Sequence, residues 1–213
     1  MTGRRRSGLG VMQWLFATLG VVCLAWYGAV TYRASQYQRA ESERLERAME
    51  QQTEQRGTLE SEPLESPTIE RAPEPVSSMG KPDHQLIGRL EIPRLNLSVM
   101  VVDGDDDDTL KVAAGHLPDT PMPWEFGNSA VAGHRDSFFR PLSQIKLNDR
   151  LQLTTPHGEF HYAVSKLRVV EPNDLSVLAP TGRSSLTLVT CYPFSFVGRA
   201  PKRLVIRADH IPS

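Results

Sequence analysis

The chain is short of cysteine: Cys23 and Cys191 are the only two in 213 residues. Cys23 lies inside a long uncharged apolar run and Cys191 in the part that reads as folded. The two are therefore not expected to pair, which excludes a disulfide framework. Hydrophobic residues are also scarce, at 39%, below the usual globular range. The shortfall is concentrated between residues 33 and 85, which predicts one folded domain plus a long polar spacer. No repeat of fixed period is visible. Nucleic acid is not expected as a partner.

Charge is missing altogether from Val11 to Val30. As a helix, such a run reaches roughly 30 Å, the thickness of a bilayer's hydrocarbon core. Arg4, Arg5 and Arg6 precede it, and Trp14, Trp26, Tyr27 and Tyr32 sit towards its ends as interface anchors. The run is long for a cleaved signal peptide, and Trp26-Tyr27-Gly28-Ala29-Val30 is a poor processing site. The sequence predicts a cytoplasmic basic tail over 1–10, an uncleaved signal anchor over 11–30, and everything after it on the extracytoplasmic side. An exported domain with one unpaired cysteine suggests that Cys191 is there to react.

Residues 31–85 read as a charged stalk and a Pro-rich linker. Helix formers with interleaved charges dominate to about residue 60, with Glu43 and Arg47 as an acid-before-base pair four apart. Few apolar side chains are available to dock such a helix, so a solvated stalk or a fraying coil is expected. A coiled coil through Leu45 and Met49 would lack the heptads to sustain it. Pro63, Pro67, Pro73, Pro75 and Pro82 then enforce an extended linker. Stalk and linker together predict a reach on the order of 100 Å from the membrane.

The folded domain is expected over 86–213. Leu90 and Ile92 alternate, Pro93 interrupts, and Leu95, Leu97, Val99 and Val101 resume with opposite parity, two strand segments around a bend or bulge. Asp105 to Asp108 read as a helix start, with Gly115 as its stop. The sharper reading of a calcium loop has no recognisable ligand spacing behind it, so no cofactor is assigned. Asn128 to Gly133 reads as a short buried strand with His134 at its mouth. Leu151 and Leu153 lead into Pro156-His157-Gly158, and Phe160, Tyr162 and Val164 follow, a hairpin. Short strands, one or two short helices and many Gly or Pro turns predict a mainly β fold, a barrel or sandwich.

The chemistry centres on the stretch from Ser185 to Ile206. Leu186, Leu188 and Thr190 alternate with Thr187, Val189 and Cys191, and Pro193 stops the strand just beyond Cys191. A second strand opens at Arg203, with Leu204, Ile206 and Ala208 on one face. Antiparallel pairing would set the thiol beside a guanidinium, a neighbour that suits a cysteine reacting as its thiolate. A nucleophilic cysteine also needs a proton acceptor, normally histidine. His84 falls in the linker, His210 in the tail, His157 on a turn tip, and His161 on an exposed face. His116 and His134, each after Ala-Gly, remain. His134 is preferred because a strand end holds a group more rigidly than a loop.

Ala132-Gly133-His134, Thr187-Leu-Val-Thr-Cys191-Tyr-Pro-Phe194 and Ala200-Pro-Lys-Arg203 together resemble the three signature blocks of the sortase transpeptidases. His134 precedes Cys191 by 57 residues and Arg203 follows it by 12. The resemblance covers roughly 86–209. Ile87 to Pro93, Gly115-His-Leu-Pro118 and Gly133 to Leu142 look most like class D. It implies a closed β-barrel of about eight strands, with Cys191 and Arg203 on adjacent strands and His134 across the cleft. It implies cleavage of a C-terminal Leu-Pro-any-Thr sorting motif after threonine, through a thioacyl-enzyme at Cys191. His134 would be the acid/base, Arg203 would position substrate and stabilise the oxyanion, and Thr190 would help line the substrate site. The implied partners are secreted proteins with a sorting motif and an amine acceptor such as a peptidoglycan precursor or a pilin lysine. Two alternatives differ: a non-catalytic membrane-tethered β-domain, and the cysteine transpeptidases that cross-link peptidoglycan stems, whose histidine lies much closer to the cysteine.

Overall fold

The computed structural model describes residues 6–59 and 85–212. Arg4, Arg5, the Pro-rich linker and His84 lie outside the described residues. Among the described residues there are eight strands: β1 (Leu86–Ile92), β2 (Leu97–Asp103), β3 (Ala114–His116), β4 (Asn128–Gly133), β5 (Arg150–Thr155), β6 (Gly158–Val170), β7 (Ser185–Tyr192) and β8 (Lys202–Ile211). They close into a barrel in the order β1-β2-β3-β4-β7-β8-β6-β5. The β2–β3 and β4–β7 pairs are parallel and the rest antiparallel.

Period-2 alternation explains the barrel's filling. Leu90, Ile92, Val99, Val101, Leu151, Leu153, Leu186, Leu188, Leu204 and Ile206 all point inward into one buried cluster. Tyr162 joins them, its hydroxyl donating to the Pro123 carbonyl at 3.5 Å, and burial pushes its phenol well up. The expected bend at Pro93 is a full chain reversal. A 3₁₀ turn over Pro93–Leu95 and a left-handed Asn96 (φ 49°) bring Ile92 opposite Leu97. Asp106 starts helix α2 (Asp107–Val112) by accepting from the Asp108 and Thr109 amides at 3.0 and 3.1 Å. Gly115 is not the helix stop expected of it. It lies inside β3, where a Cβ would collide with the Gly104 carbonyl oxygen. His210 likewise belongs to β8 and not to a tail.

One helix, α1, runs unbroken from Arg6 to Leu59. The expected solvated stalk is corrected here, because α1 docks against the barrel. Gln38, Glu41, Ser42 and Leu45 fall on a single helical face, and Glu41 and Leu45 are 4% and 0% exposed. The contact is made mostly by polar groups. β3 begins opposite Val101, so the neighbouring Met100 amide has no strand partner on that side. Gln38 Oε1 accepts from that amide at 2.7 Å, while Gln38 Nε2 donates to the Val112 carbonyl at 2.6 Å. A primary amide offers the same donor and acceptor as a peptide group, so Gln38 fills the gap in the sheet between β2 and the chain entering β3. Ser42 reaches Met100 Sδ at 3.6 Å, and Arg89 on β1 pairs with Glu46 at 3.4 Å.

We predict that Gln38→Ala, by orphaning two backbone groups, costs about 1–3 kcal/mol. For a chain of this size the melting temperature should then fall by roughly 2–10 °C. An unchanged melt of the full chain in detergent would show that the helix only rests on the barrel.

Candidate active site

β4, β7 and β8 lie side by side, and their alternation sorts the residues by face. On β7 Leu186, Leu188 and Thr190 turn inward, while Ser185, Thr187, Val189 and Cys191 turn outward. The register pairs Thr187 with Arg207, Val189 with Val205 and Cys191 with Arg203, all on the outer face of β8. On the other side of β7, β4 runs parallel, with Ala130 opposite Thr187, Ala132 opposite Val189 and Gly133 opposite Thr190. His134 comes one residue after Gly133, as Cys191 comes one after Thr190. The register thus sets Cys191 opposite Arg203 on neighbouring strands, and His134 directly follows the β4 residue that pairs with Thr190. His134 follows β4, the neighbour of β7 on the side away from β8 and Arg203.

Local packing holds that arrangement. Gly133 is tightly approached by Phe139, whose ring would meet a Cβ at 2.6 Å, so only glycine lets the ring pack under the His134 backbone. Thr190, expected to line the substrate site, is instead 2% exposed, and its hydroxyl donates to the Gly133 carbonyl at 2.7 Å. Strand parity is the reason: Thr190 shares a face with Leu186 and Leu188. It therefore meets the site through the backbone that carries His134.

Arg135, which the sequence did not single out, is 9% exposed. Its guanidinium donates to the carbonyls of Pro193 (2.8 Å), Phe196 (2.7 Å) and Gly198 (2.9 Å). One buried cation thus gathers the loop joining Cys191 to Arg203, with carbonyl dipoles in place of a carboxylate. The loop leaves Phe196 and Val197 exposed as an apolar rim. Arg203 Nη1 donates to the carbonyls of Ala200 and Lys202 at 3.4 and 3.1 Å. Back along the strands from Cys191, the same outer face carries the paired, half-buried Ala132 and Val189. The connection from β6 to β7 crosses this outer face, where Val177 packs on Val170 and Val205.

The other described histidines lie elsewhere. His116, the second Ala-Gly-His candidate, is 1% exposed, with Nε2 within 3.1 Å of the Pro121 carbonyl and 3.2 Å of Thr120 Oγ1. It pairs with Val131, three residues back along β4 from His134, and ties down the 117–123 loop. His157 stacks on Trp124, His161 lies near Glu159, and His210 meets Tyr162 edge-on. Among the described residues, no group of three or more His, Cys, Asp or Glu side chains is placed to hold a metal ion.

A half-exposed thiol paired in register with an arginine on β8, with an imidazole just past β4, suits acyl transfer: nucleophile, oxyanion partner and proton carrier. Known proteins agree on the lineage. Sortase D of Bacillus subtilis (strain 168) is 39% identical over 128 residues, 60% of this chain and 65% of that protein, so the chain spans just under two thirds of it. The solved structure of sortase C-1 from Actinomyces oris matches with a TM-score of 0.55 and 29% identity, over 59% of this chain and 73% of that one. A Clostridium perfringens Sortase D5 transpeptidase matches at a TM-score of 0.62 over 83% of this chain and 99% of that one; at 22% identity this likeness concerns the fold alone. A family model described as a sortase domain matches residues 90–211, more than half of the chain and inclusive of His134, Cys191 and Arg203, and the chain belongs to the sortase family.

Proposed function

We propose that the protein is a membrane-anchored cysteine transpeptidase that cleaves a C-terminal Leu-Pro-any-Thr-type sorting motif after threonine and passes the acyl group to an amine. The observation that supports the reading is the register that pairs Cys191 with Arg203 and sets Gly133, the residue before His134, beside Thr190. The Cys191 thiolate attacks the threonine carbonyl, forming the S–C bond and a tetrahedral oxyanion that Arg203 faces. Collapse breaks the C–N bond, and the His134 imidazolium gives its proton to the departing amine. An incoming amine then attacks the thioester, loses its proton to His134, and expels the thiolate. Atoms and protons balance with these side chains and two substrates. Thr190, through Gly133, is a positioning residue for His134.

The apolar window Met12–Ala29, fully exposed in the folded chain, supports a single-pass anchor, and the arginines before it favour an internal amino terminus. Donors would be secreted proteins bearing the motif. Acceptors would be envelope amines such as a peptidoglycan precursor or a pilin lysine. Full chain in detergent, given a Leu-Pro-any-Thr peptide and an amine, should yield ligated product and a transient adduct on Cys191. Cys191→Ala should yield neither, and Cys23→Ala both. Ligation by Cys191→Ala would overturn the reading.

A further inference from the structure

We propose that Asn128 is a positioning residue for the donor peptide: its amide locks the β6–β7 connection over the outer face and so fixes the far wall of the cleft. The inference rests on the transpeptidase reading and adds a role for a residue other than His134, Cys191 and Arg203.

Asn128 opens β4 and is 1% exposed, yet every hydrogen-bonding position of its amide is used. Oδ1 accepts from Thr187 Oγ1 at 2.6 Å and from Ser185 Oγ at 3.2 Å, both on neighbouring β7. Nδ2 donates to the carbonyls of Val177 and Ala179 at 3.2 and 3.3 Å, both in the β6–β7 connection. The orientation is set from behind. Thr187 Oγ1 also receives Arg207 Nε at 3.5 Å, so its single proton is directed to Oδ1, and the NH₂ group must face the connection. Arg207 Nη2 adds a second donor to the Val177 carbonyl at 2.5 Å. The connection is thereby fastened across the sheet at the level of Asn128, Thr187 and Arg207.

That level matters because of its distance from the thiol. Thr187 and Cys191 share one face of β7, four residues and about 13 Å apart. Between them the outer face carries Ala132 and Val189, both half-buried. An extended peptide of about four residues spans the same distance. A donor whose scissile carbonyl lies at Cys191 would thus bring its upstream residues against the wall built on Val177. Loosening that wall should weaken donor binding. The catalytic residues, held by the β7–β8 ladder and by Arg135, should keep their own reactivity.

The test uses the full chain in detergent, in a Cys23→Ala background, with a Leu-Pro-any-Thr peptide as donor. Asn128→Asp keeps both acceptor contacts and removes both donors. Donor KM should rise about tenfold or more, the effect of losing hydrogen bonds to two buried carbonyls. Cys191 alkylation by iodoacetamide should stay within about twofold, and hydrogen exchange over residues 174–181 should quicken. Arg207→Gln should shift KM in the same direction by less. If Asn128→Asp does not fold, Thr187→Val, which frees the amide to flip, is judged by the same readouts. Turnover with an unchanged donor KM, or a rise in KM matched by an equal fall in the rate of Cys191 alkylation, overturns the role of Asn128. A wild-type enzyme that turns over no peptide overturns the transpeptidase reading instead.

Discussion

Replacing His134 by Ala should lower transpeptidation by about 10²–10⁴-fold for each proton transfer it serves. Both halves of the cycle need one: the departing amine must gain a proton and the incoming amine must lose one. His134 is half-exposed at the end of β4, beside the strand that carries Cys191. No other described histidine holds that position. His116 is the informative control, because it follows the same Ala-Gly pair. It is buried with its ring against Pro121 and Thr120, so His116→Ala should lower the melting temperature while leaving folded enzyme active. Steady-state rates of the two variants, each normalised to its folded fraction, decide the matter. A dead but folded His116→Ala beside an active His134→Ala would reverse the assignment.

The docking of α1 changes where the cleft can work. Gln38 lies nine residues beyond Ala29, the end of the apolar window, or about 13 Å of helix. With the window in a bilayer, that docking would hold the barrel close to the surface, in place of the reach on the order of 100 Å expected of an extended spacer. Donors would then be met near the membrane.

The barrel was legible because its strands obey period 2 with one buried face. Leu186, Leu188, Leu204 and Ile206 predict the β7–β8 pairing that sets Cys191 opposite Arg203. The same parity placed Thr190 with the leucines, where its hydroxyl bonds the Gly133 carbonyl. Gln38, Asn128 and Arg135 were not legible for a shared reason. Each acts through a polar side chain on backbone groups of a distant segment, and Arg135 reaches carbonyls 58 to 63 residues away. Such bonds leave no periodicity, charge pattern or partner residue type in the sequence. The docking face of α1 was overlooked because a wide apolar stripe is what advertises a buried helix, and here Leu45 and the half-buried Met49 share the face with Gln38, Glu41 and Ser42.

Arg203→Lys should fail to rescue function, losing about 2.7–4 kcal/mol of transition-state stabilisation, or roughly a hundred- to a thousandfold in acylation rate. Arg203 has two tasks on different edges of one planar group. Nη1 donates to the carbonyls of Ala200 and Lys202, fastening the guanidinium to its own loop. The Nε and Nη2 edge, with no hydrogen bond to a described residue, is the parallel pair a peptide carbonyl or oxyanion would take. Lysine has one nitrogen on a flexible stem, so it can hold the loop or face the oxyanion but not do both. Arg199, four residues earlier, is exposed in the loop and pairs with no strand position beside Cys191. Arg199→Lys should therefore stay near wild type. The measurement is the single-turnover acylation rate of both variants, with folding checked by thermal melting. A near-native Arg203→Lys enzyme beside a crippled Arg199→Lys one would move the oxyanion role from the strand to the loop.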